Sequence, residues 1–192
     1  MRLRFLVAMS IALAASGCGF NAIIDSDENV KAAWAEVENQ YQRRSDLVPN
    51  LVSTVKGAAG FEQKTLTDVV EARSKVSQIK VDASVAEDPA KLKAFEAAQG
   101  DLSRALSRLM VVTENYPDLK ATQAFRDLSA QLEGTENRIT VARKRFIESV
   151  AEYNKVALRF PTMIGASLRG KRERPTFTAT TANAEKVPEV KF

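Results

Sequence analysis

Few side chains in this chain can do chemistry, because its 192 residues include no histidine and one cysteine, Cys18. Without histidine, neither a Ser-His-Asp nor a Cys-His catalytic relay can form. A zinc site of His and Cys ligands is excluded as well, and a lone cysteine has no intramolecular disulfide partner. Only carboxylates, lysines, tyrosines and hydroxyls remain for catalysis.

The carboxylates do not form a recognisable catalytic or metal motif. Glutamates are scattered along the chain, at Glu62, Glu71, Glu96, Glu114, Glu133, Glu136, Glu148 and Glu152. The Glu-x-x-His pairs of di-iron bundles need histidine, which leaves an all-carboxylate metal site as the remaining alternative. We predict a protein that is not an enzyme and that holds no metal or cofactor.

The charge balance argues against nucleic acid as a partner. The net charge is +4, and Arg2 and Arg4 at the start of the chain contribute two of these charges. The remaining acidic and basic residues are nearly balanced and interspersed, whereas nucleic-acid binders concentrate basic residues on one face.

The first 18 residues have the three-part pattern of a bacterial export signal. A basic start is followed by an apolar run over residues 5–15, which is shorter than the ~20 residues that span a bilayer. The sequence Ala15-Ser16-Gly17-Cys18 then predicts a lipoprotein signal peptide over 1–17, cut before an acylated Cys18. An ordinary signal with an incidental cysteine and an uncut anchor are the alternatives.

Acylation would attach the protein to membrane lipid through Cys18. Each buried CH₂ group contributes ~0.8 kcal/mol, so two or more acyl chains hold a protein stably. Gly19 follows the cysteine instead of the aspartate typical of inner-membrane retention. We therefore predict an outer-membrane location facing the periplasm, with residues 18–25 as a short tether.

The apolar residues follow helical rather than strand spacing. The first predicted helix begins near Asp25-Ser26-Asp27, which are favourable N-cap residues, and continues as one kinked helix through Pro49. A second, shorter helix covers about 62–78, followed by a polar linker at 80–88. The third begins at Asp88-Pro89 and the fourth is capped by Thr122.

Apolar residues recur in alternating steps of three and four, above all in the fourth helix. This near-heptad spacing predicts an all-α fold, an elongated antiparallel four-helix bundle over 26–166 with long first, third and fourth helices. A dimeric coiled coil is the alternative. The composition of 167–192, basic and then rich in Thr, predicts an irregular, flexible C-terminal tail.

Polar residues interrupt the apolar spacing at two places. Arg44 falls on the apolar stripe of the first helix and Thr135 on that of the fourth. One interpretation is a cluster that recognises a partner; the other, which we favour, is a buried network that specifies helix pairing. Its candidate members are Arg43, Arg44, Asp46, Glu136, Asn137 and Arg138.

The chain resembles the LemA family of bacterial envelope proteins over roughly 26–192. The matching segments are RRSDLVPNLV (43–52), TVKG (54–57), LSRALSRL (102–109), ENYPDLKA (114–121) and TENRI (135–139). The resemblance implies a helical bundle held outside the cytoplasmic membrane by its N-terminus, and no catalytic residues. It extends into the tail, so Phe177, Val190 or Phe192 could dock on the bundle instead of being free.

Three functions are compatible with these observations. We favour a non-enzymatic lipoprotein that acts as a scaffold or adaptor for another envelope protein. A self-assembling rod, in which the long fourth helix pairs between molecules, is the second. An enzyme that uses two converging carboxyl groups on an envelope polymer or lipid is the third.

Acylation of Cys18 predicts a specific intact mass. Protein extracted from membranes with detergent should weigh more than residues 18–192 alone, by the mass of the attached lipid. Cys18→Ser should instead have the mass of the unmodified chain with residues 1–17 still attached. A mass equal to unmodified residues 18–192 would contradict the lipoprotein hypothesis.

Overall fold

The computed structural model describes the backbone of residues 2–58 and 60–178, and side chains from residue 21 onward within those ranges. Over this part of the chain the protein is helical, with no β-strand, which confirms the predicted all-α class. The elements are α1 (Arg2–Lys56), α2 (Gln63–Gln78), a 3₁₀ turn (Ala83–Ala86), α3 (Pro89–Thr113), α4 (Pro117–Ala121), α5 (Gln123–Leu158) and α6 (Thr162–Leu168).

Helix α1 starts much earlier than the sequence pattern predicts. It begins at Arg2, so the predicted N-cap at Asp25-Ser26-Asp27 is wrong and these residues lie inside the helix. Capping residues begin a helix only where the preceding chain is not helical, and here residues 18–25, the predicted tether, are helical too. Pro49 lies within the same helix, which confirms one helix rather than two.

The other helix starts follow the predicted caps. The Asp88 carboxylate accepts a hydrogen bond from the Ala90 backbone N–H at 2.8 Å, with Pro89 at the first helical position. The Thr122 hydroxyl accepts from the Phe125 N–H at 3.3 Å. The predicted polar linker at 80–88 instead contains the 3₁₀ turn, where Val85 and Ala86 are buried.

Contacts between helices define their relative directions. Residues of α1 and α5 pair in opposite order along the two helices, since Trp34 packs on Phe146 while Arg44 pairs with Glu136. These two helices are therefore antiparallel. Helices α1 and α3 run in the same direction, because Trp34 packs on Phe95 and Arg44 bonds Gln99.

The buried apolar residues form two separate clusters. The first surrounds Trp34, Phe95 and Phe146 and includes Ile23 of α1. The second, toward the other end of the helices, includes Leu51, Leu102, Leu109 and Phe125 among others. Within the described residues, no helix combines the length and the apolar content required to cross a bilayer.

The segment after α5 folds back onto the bundle. We call residues 171–178 the C-terminal strap; its backbone has no regular secondary structure, but Phe177 is buried between Trp34 and Phe146. The flexible tail predicted from composition is therefore wrong for this segment, because an aromatic anchor outweighs the polar residues around it. Val190 and Phe192, the other candidates for docking, lie outside the described residues.

Candidate functional site

The two apolar clusters meet at a buried arginine on α1. The Arg44 side chain is 1% exposed, and its guanidinium donates to the Ser103 hydroxyl at 2.6 Å and to Glu136 Oε1 at 2.8 Å. It also donates to both the backbone oxygen (3.2 Å) and the side-chain oxygen of Gln99. We call these four residues, together with the buried Thr135, the polar layer. It joins α1, α3 and α5.

The polar layer leaves one donor unused. Arg44 Nε is buried and has no hydrogen-bond partner within the described part of the chain. The guanidinium carbon lies 5.0 Å from the centre of the Tyr41 ring, so the ring face partly compensates the charge. The other donors on this side chain are engaged by groups from two different helices.

A second arginine, Arg143, lies on α5 about two turns from Glu136. Arg143 donates to the Tyr41 hydroxyl at 3.1 Å and to Glu96 Oε1 at 3.0 Å. Its guanidinium carbon is also 4.0 Å from the centre of the Phe177 ring. The strap thus covers one face of Arg143, and ion pairing with a largely buried carboxylate holds the other side in place.

The two arginines line a cleft of about 610 Å³ between α3 and α5, which we call the α3–α5 cleft. Both signs of charge lie along it. Its charged lining residues are Arg44, Lys93, Glu96, Asp101, Arg104, Glu136 and Arg143.

A smaller cleft of about 460 Å³ lies on the α2 side of the polar layer, and Tyr41 and Gln99 line both clefts. Glu38 lines the smaller one and accepts from the Trp34 indole N–H at 2.7 Å. Burial raises the pKa of the Glu38 carboxyl, and the nearby Asp82 charge adds to this, although the indole hydrogen bond acts in the opposite direction. Within the described residues, no group of three or more acidic or cysteine side chains could hold a metal ion.

The six residues singled out in the sequence do not form one cluster. The structure joins Arg44 to Glu136. Arg138 instead reaches Gln40 and the Thr135 hydroxyl.

The other three candidates, Arg43, Asp46 and Asn137, lie on the exposed surface, where Asp46 accepts a hydrogen bond from Gln42. Successive residues of an α-helix are about 100° apart around its axis. Neighbours in sequence such as Arg43 and Arg44 therefore face different surroundings.

Sequence reasoning missed Gln99, Ser103, Glu96 and Arg143 as partners in this site. Gln99 could have been predicted from the sequence, since it is a polar residue on the apolar stripe of the third helix, at the level of Arg44 and Thr135. Glu96 and Arg143 could not, because their pairing joins positions 47 residues apart on different helices.

A second buried ion-pair network ties the strap to the beginning of the bundle. Asp27 accepts from the Arg174 guanidinium at 2.6 Å and from Lys171 Nζ at 2.8 Å, and Lys31 Nζ lies at 3.2 Å. The Asn154 side-chain amide both donates to and accepts from the Arg174 backbone. Asp27 therefore attaches the strap to α1, in addition to the contact between Phe177 and Trp34.

The charges around Asp27 set its ionisation. Burial raises the pKa of this carboxyl, but hydrogen bonds from Lys171 and Lys31 and the charge of Arg174 outweigh that effect. The net result is a pKa below the usual 3.8. Asp27 is therefore ionised in the folded protein at neutral pH.

Comparison with known proteins matches this chain to one protein family. The model of the LemA family matches residues 33–192 of the chain. The chain belongs to the LemA family. This match confirms the resemblance found in the segments around the polar layer.

Relatives of this LemA-family chain include two kinds of named protein. It is 26% identical over 158 residues to magnetosome protein MamQ of Magnetospirillum gryphiswaldense, covering 74% of this chain and 58% of that protein. It is 25% identical over 174 residues to magnetosome protein MamQ 2 of Paramagnetospirillum magneticum, covering 82% and 64%. Protein LemA of Metamycoplasma hominis is 25% identical over 145 residues, covering 75% and 58%. The chain thus spans about three-fifths of the length of these relatives.

Removing Arg44 should destabilise the fold. Arg44→Ala should lower the free energy of unfolding by about 3 kcal/mol, because it strands buried partners on α3 and creates a cavity between the apolar clusters. The exposed neighbour supplies a matched control, and Arg43→Ala should change the same quantity by less than about 0.5 kcal/mol. Urea unfolding followed by circular dichroism measures both. Equal stability of the two variants would contradict the structural role of the polar layer.

Asp27 should make stability depend on acid pH. Its folded pKa lies below the unfolded value, so its contribution is complete above the unfolded pKa and is lost as the pH falls through the folded one. The wild type should therefore lose stability below about pH 4, and Asp27→Asn should lose less over the same interval. At neutral pH, Asp27→Asn should cost about 2 kcal/mol. The buried Arg174 guanidinium loses one of its two carboxylate partners and keeps only Glu87.

The control for Asp27 is the exposed Asp25, two residues away. Asp25→Asn should match the wild type at both neutral and acid pH in urea unfolding. If Asp27→Asn showed the same acid dependence as the wild type, another carboxyl group would be responsible.

Proposed function

We propose that this chain is a lipid-anchored protein of the bacterial envelope that acts as a non-enzymatic scaffold or adaptor for another envelope protein. Acyl chains on Cys18 hold it to the outer membrane, and its four longer helices form an elongated antiparallel bundle in the periplasm. The α3–α5 cleft is the surface that binds the partner.

The observation that carries this proposal is the rigid charge pattern of the α3–α5 cleft. Arg143 is held by Glu96, Tyr41 and the Phe177 ring, and Arg44 is held by the polar layer. Side chains that are already ordered lose little conformational entropy when a ligand binds. A cleft of this kind is suited to recognition.

The chemistry of the cleft rim favours a polar protein segment as the ligand. Lys93 and Arg104 present exposed positive charge, while Asp101 and Glu136 present negative charge nearby. A segment of mixed charge can pair with both the basic and the acidic side chains of the rim, whereas Asp101 and Glu136 would repel a polyanion. Charge complementarity of this type gives specificity and register more than affinity.

The carboxylates of the cleft are poorly arranged for catalysis. Glu96 pairs with Arg143 at 3.0 Å and Glu136 pairs with Arg44 at 2.8 Å. A glycosidase-type mechanism needs one carboxyl group that holds a proton while the other is ionised. Asp101, the third acidic residue of the cleft, pairs with Arg104. Three carboxylates that each face a guanidinium favour binding over proton transfer, so we place the enzyme hypothesis behind the adaptor.

The relatives support an association with membranes. Two of them are named magnetosome proteins, and the similarity covers about three-fifths of their length. For this chain we take that similarity as support for a component of a membrane-bound assembly.

In-cell photocrosslinking tests the adaptor hypothesis. A photoreactive amino acid placed at Arg104, on the cleft rim, should yield a defined adduct with another envelope protein. The same group at Lys144, an exposed residue of α5 that does not line the cleft, should not. Lys93→Glu should weaken the Arg104 adduct by reversing a rim charge, and Lys144→Glu should leave it unchanged.

Two results would overturn the adaptor hypothesis. Adducts between two copies of this chain would favour the self-assembling rod. An adduct that forms equally from Arg104 and Lys144 would show that the cleft has no selective partner.

A further inference from the structure

The corner between α5 and α6 carries a cluster of exposed apolar side chains. We call this cluster the corner patch; its members are Leu158, Phe160, Met163, Ile164 and Leu168. Phe160 is 78% exposed and Leu168 is 81% exposed. Single exposed apolar residues are ordinary, but a group within eleven residues of sequence marks an interaction surface.

The corner is built so that these side chains point outward. The Thr162 hydroxyl donates to the backbone oxygens of Val156 and Arg159, which fixes the turn. Ala166 attaches α6 to the apolar cluster of the bundle. Helix α6 ends before Gly170, whose φ of +66° lies in the left-handed region that glycine adopts readily. The patch is therefore held on an ordered support.

The patch lies at the end of the bundle where α1 approaches the predicted anchor. Ala157 and Ala166 share an apolar cluster with Ile23, which is five residues after Cys18. The strap that follows α6 attaches to α1 at Asp27. The corner patch and the anchored cysteine therefore belong to the same end of the molecule.

Basic residues flank the patch. Arg159 lies within the corner and Arg172 follows α6, and both are exposed. The neighbouring Lys171 and Arg174 are paired with Asp27. An exposed apolar cluster beside basic side chains is the composition of surfaces that lie at the boundary between headgroups and acyl chains of anionic membranes.

We propose that the corner patch inserts into the surface of the phospholipid bilayer to which Cys18 is anchored. Phe160 and Leu168 enter the acyl boundary, and Arg159 and Arg172 bind anionic headgroups. The proposal rests on the membrane anchoring in the proposed function. The occupant is lipid because the patch continues the anchored end and its flanking charges match anionic headgroups.

Insertion would give the bundle a second attachment and so a defined orientation. Residues 24 and 44 of α1 are separated by about 30 Å at a rise of 1.5 Å per residue. The α3–α5 cleft would then be presented at about that height above the membrane surface. A single lipid anchor at Cys18 would leave this height undefined.

Fluorescence quenching by brominated lipids tests the proposal. The full chain, extracted from membranes, is reconstituted into vesicles of phosphatidylethanolamine and phosphatidylglycerol with or without bromine on the acyl chains. The reporter is Phe160→Trp, and the matched control is Val111→Trp, a 70% exposed position on α3 toward the opposite end. Trp34 is buried, and the wild type supplies its background signal.

Brominated lipid should lower the emission of the Phe160→Trp reporter at least about twofold, because bromine at the acyl boundary contacts an inserted side chain. The Val111→Trp emission should change by less than about a tenth. Adding Arg172→Glu to Phe160→Trp should reduce the quenching, since it places a negative charge beside anionic headgroups.

Equal emission of Phe160→Trp in brominated and ordinary vesicles would overturn the proposal. A Phe160→Trp emission that depends on protein concentration but is the same with and without bromine would also overturn it. That result would show that a second copy of the chain covers the patch. The mass of the protein in the same sample distinguishes the two proposals. Quenching of the Phe160→Trp emission in protein that carries no lipid on Cys18 would support insertion of the patch and contradict the lipoprotein anchor.

Discussion

A buried positive charge at the centre of three helices constrains this structure more than any other single feature. The Arg44 guanidinium is removed from water and satisfied only where Gln99 and Ser103 of α3 and Glu136 of α5 face it together. Sliding one helix by a turn moves its side chains by about 5.4 Å and strands the charge. Apolar residues alone tolerate such a slip more easily, because many pairings bury similar area.

The position of the polar layer explains the division of the core. Along α1, Tyr41 belongs to one apolar cluster and Val48 to the other, with Arg44 between them. The cluster on the side of Tyr41 is aromatic, with Trp34, Phe95 and Phe146 in contact and Phe177 packed from the strap. The cluster beyond Val48 is built mostly of Leu and Val. The α3–α5 cleft opens where the layer reaches the surface.

Two levels along the molecule serve different roles in the proposed function. At one level, the Asp27 network, the strap and the corner patch surround the part of α1 nearest Cys18. The α3–α5 cleft lies further along the bundle, at the level of Arg44. Attachment and recognition are thereby separated along a rigid helical body. An adaptor on a membrane benefits from this separation, because it fixes where a partner is presented.

The sequence by itself determined the helical class, the family and most of the buried positions. Its three-and-four spacing predicted the long helices, and local capping rules found the starts of α3 and α5. These features depend on residues a few positions apart, which periodicity and capping describe well.

The tertiary structure alone decided which polar residues meet. Arg44 bonds Gln99 across 55 residues and Arg174 bonds Asp27 across 147, and no local pattern encodes such pairings. In the structure, Asp27 is a buried ion-pair partner and not the predicted cap. Residues 171–178 form the strap and not the predicted flexible tail. In each case a long-range contact outweighed a local preference, because burying a charge without its partner costs more than a cap or a disordered segment contributes.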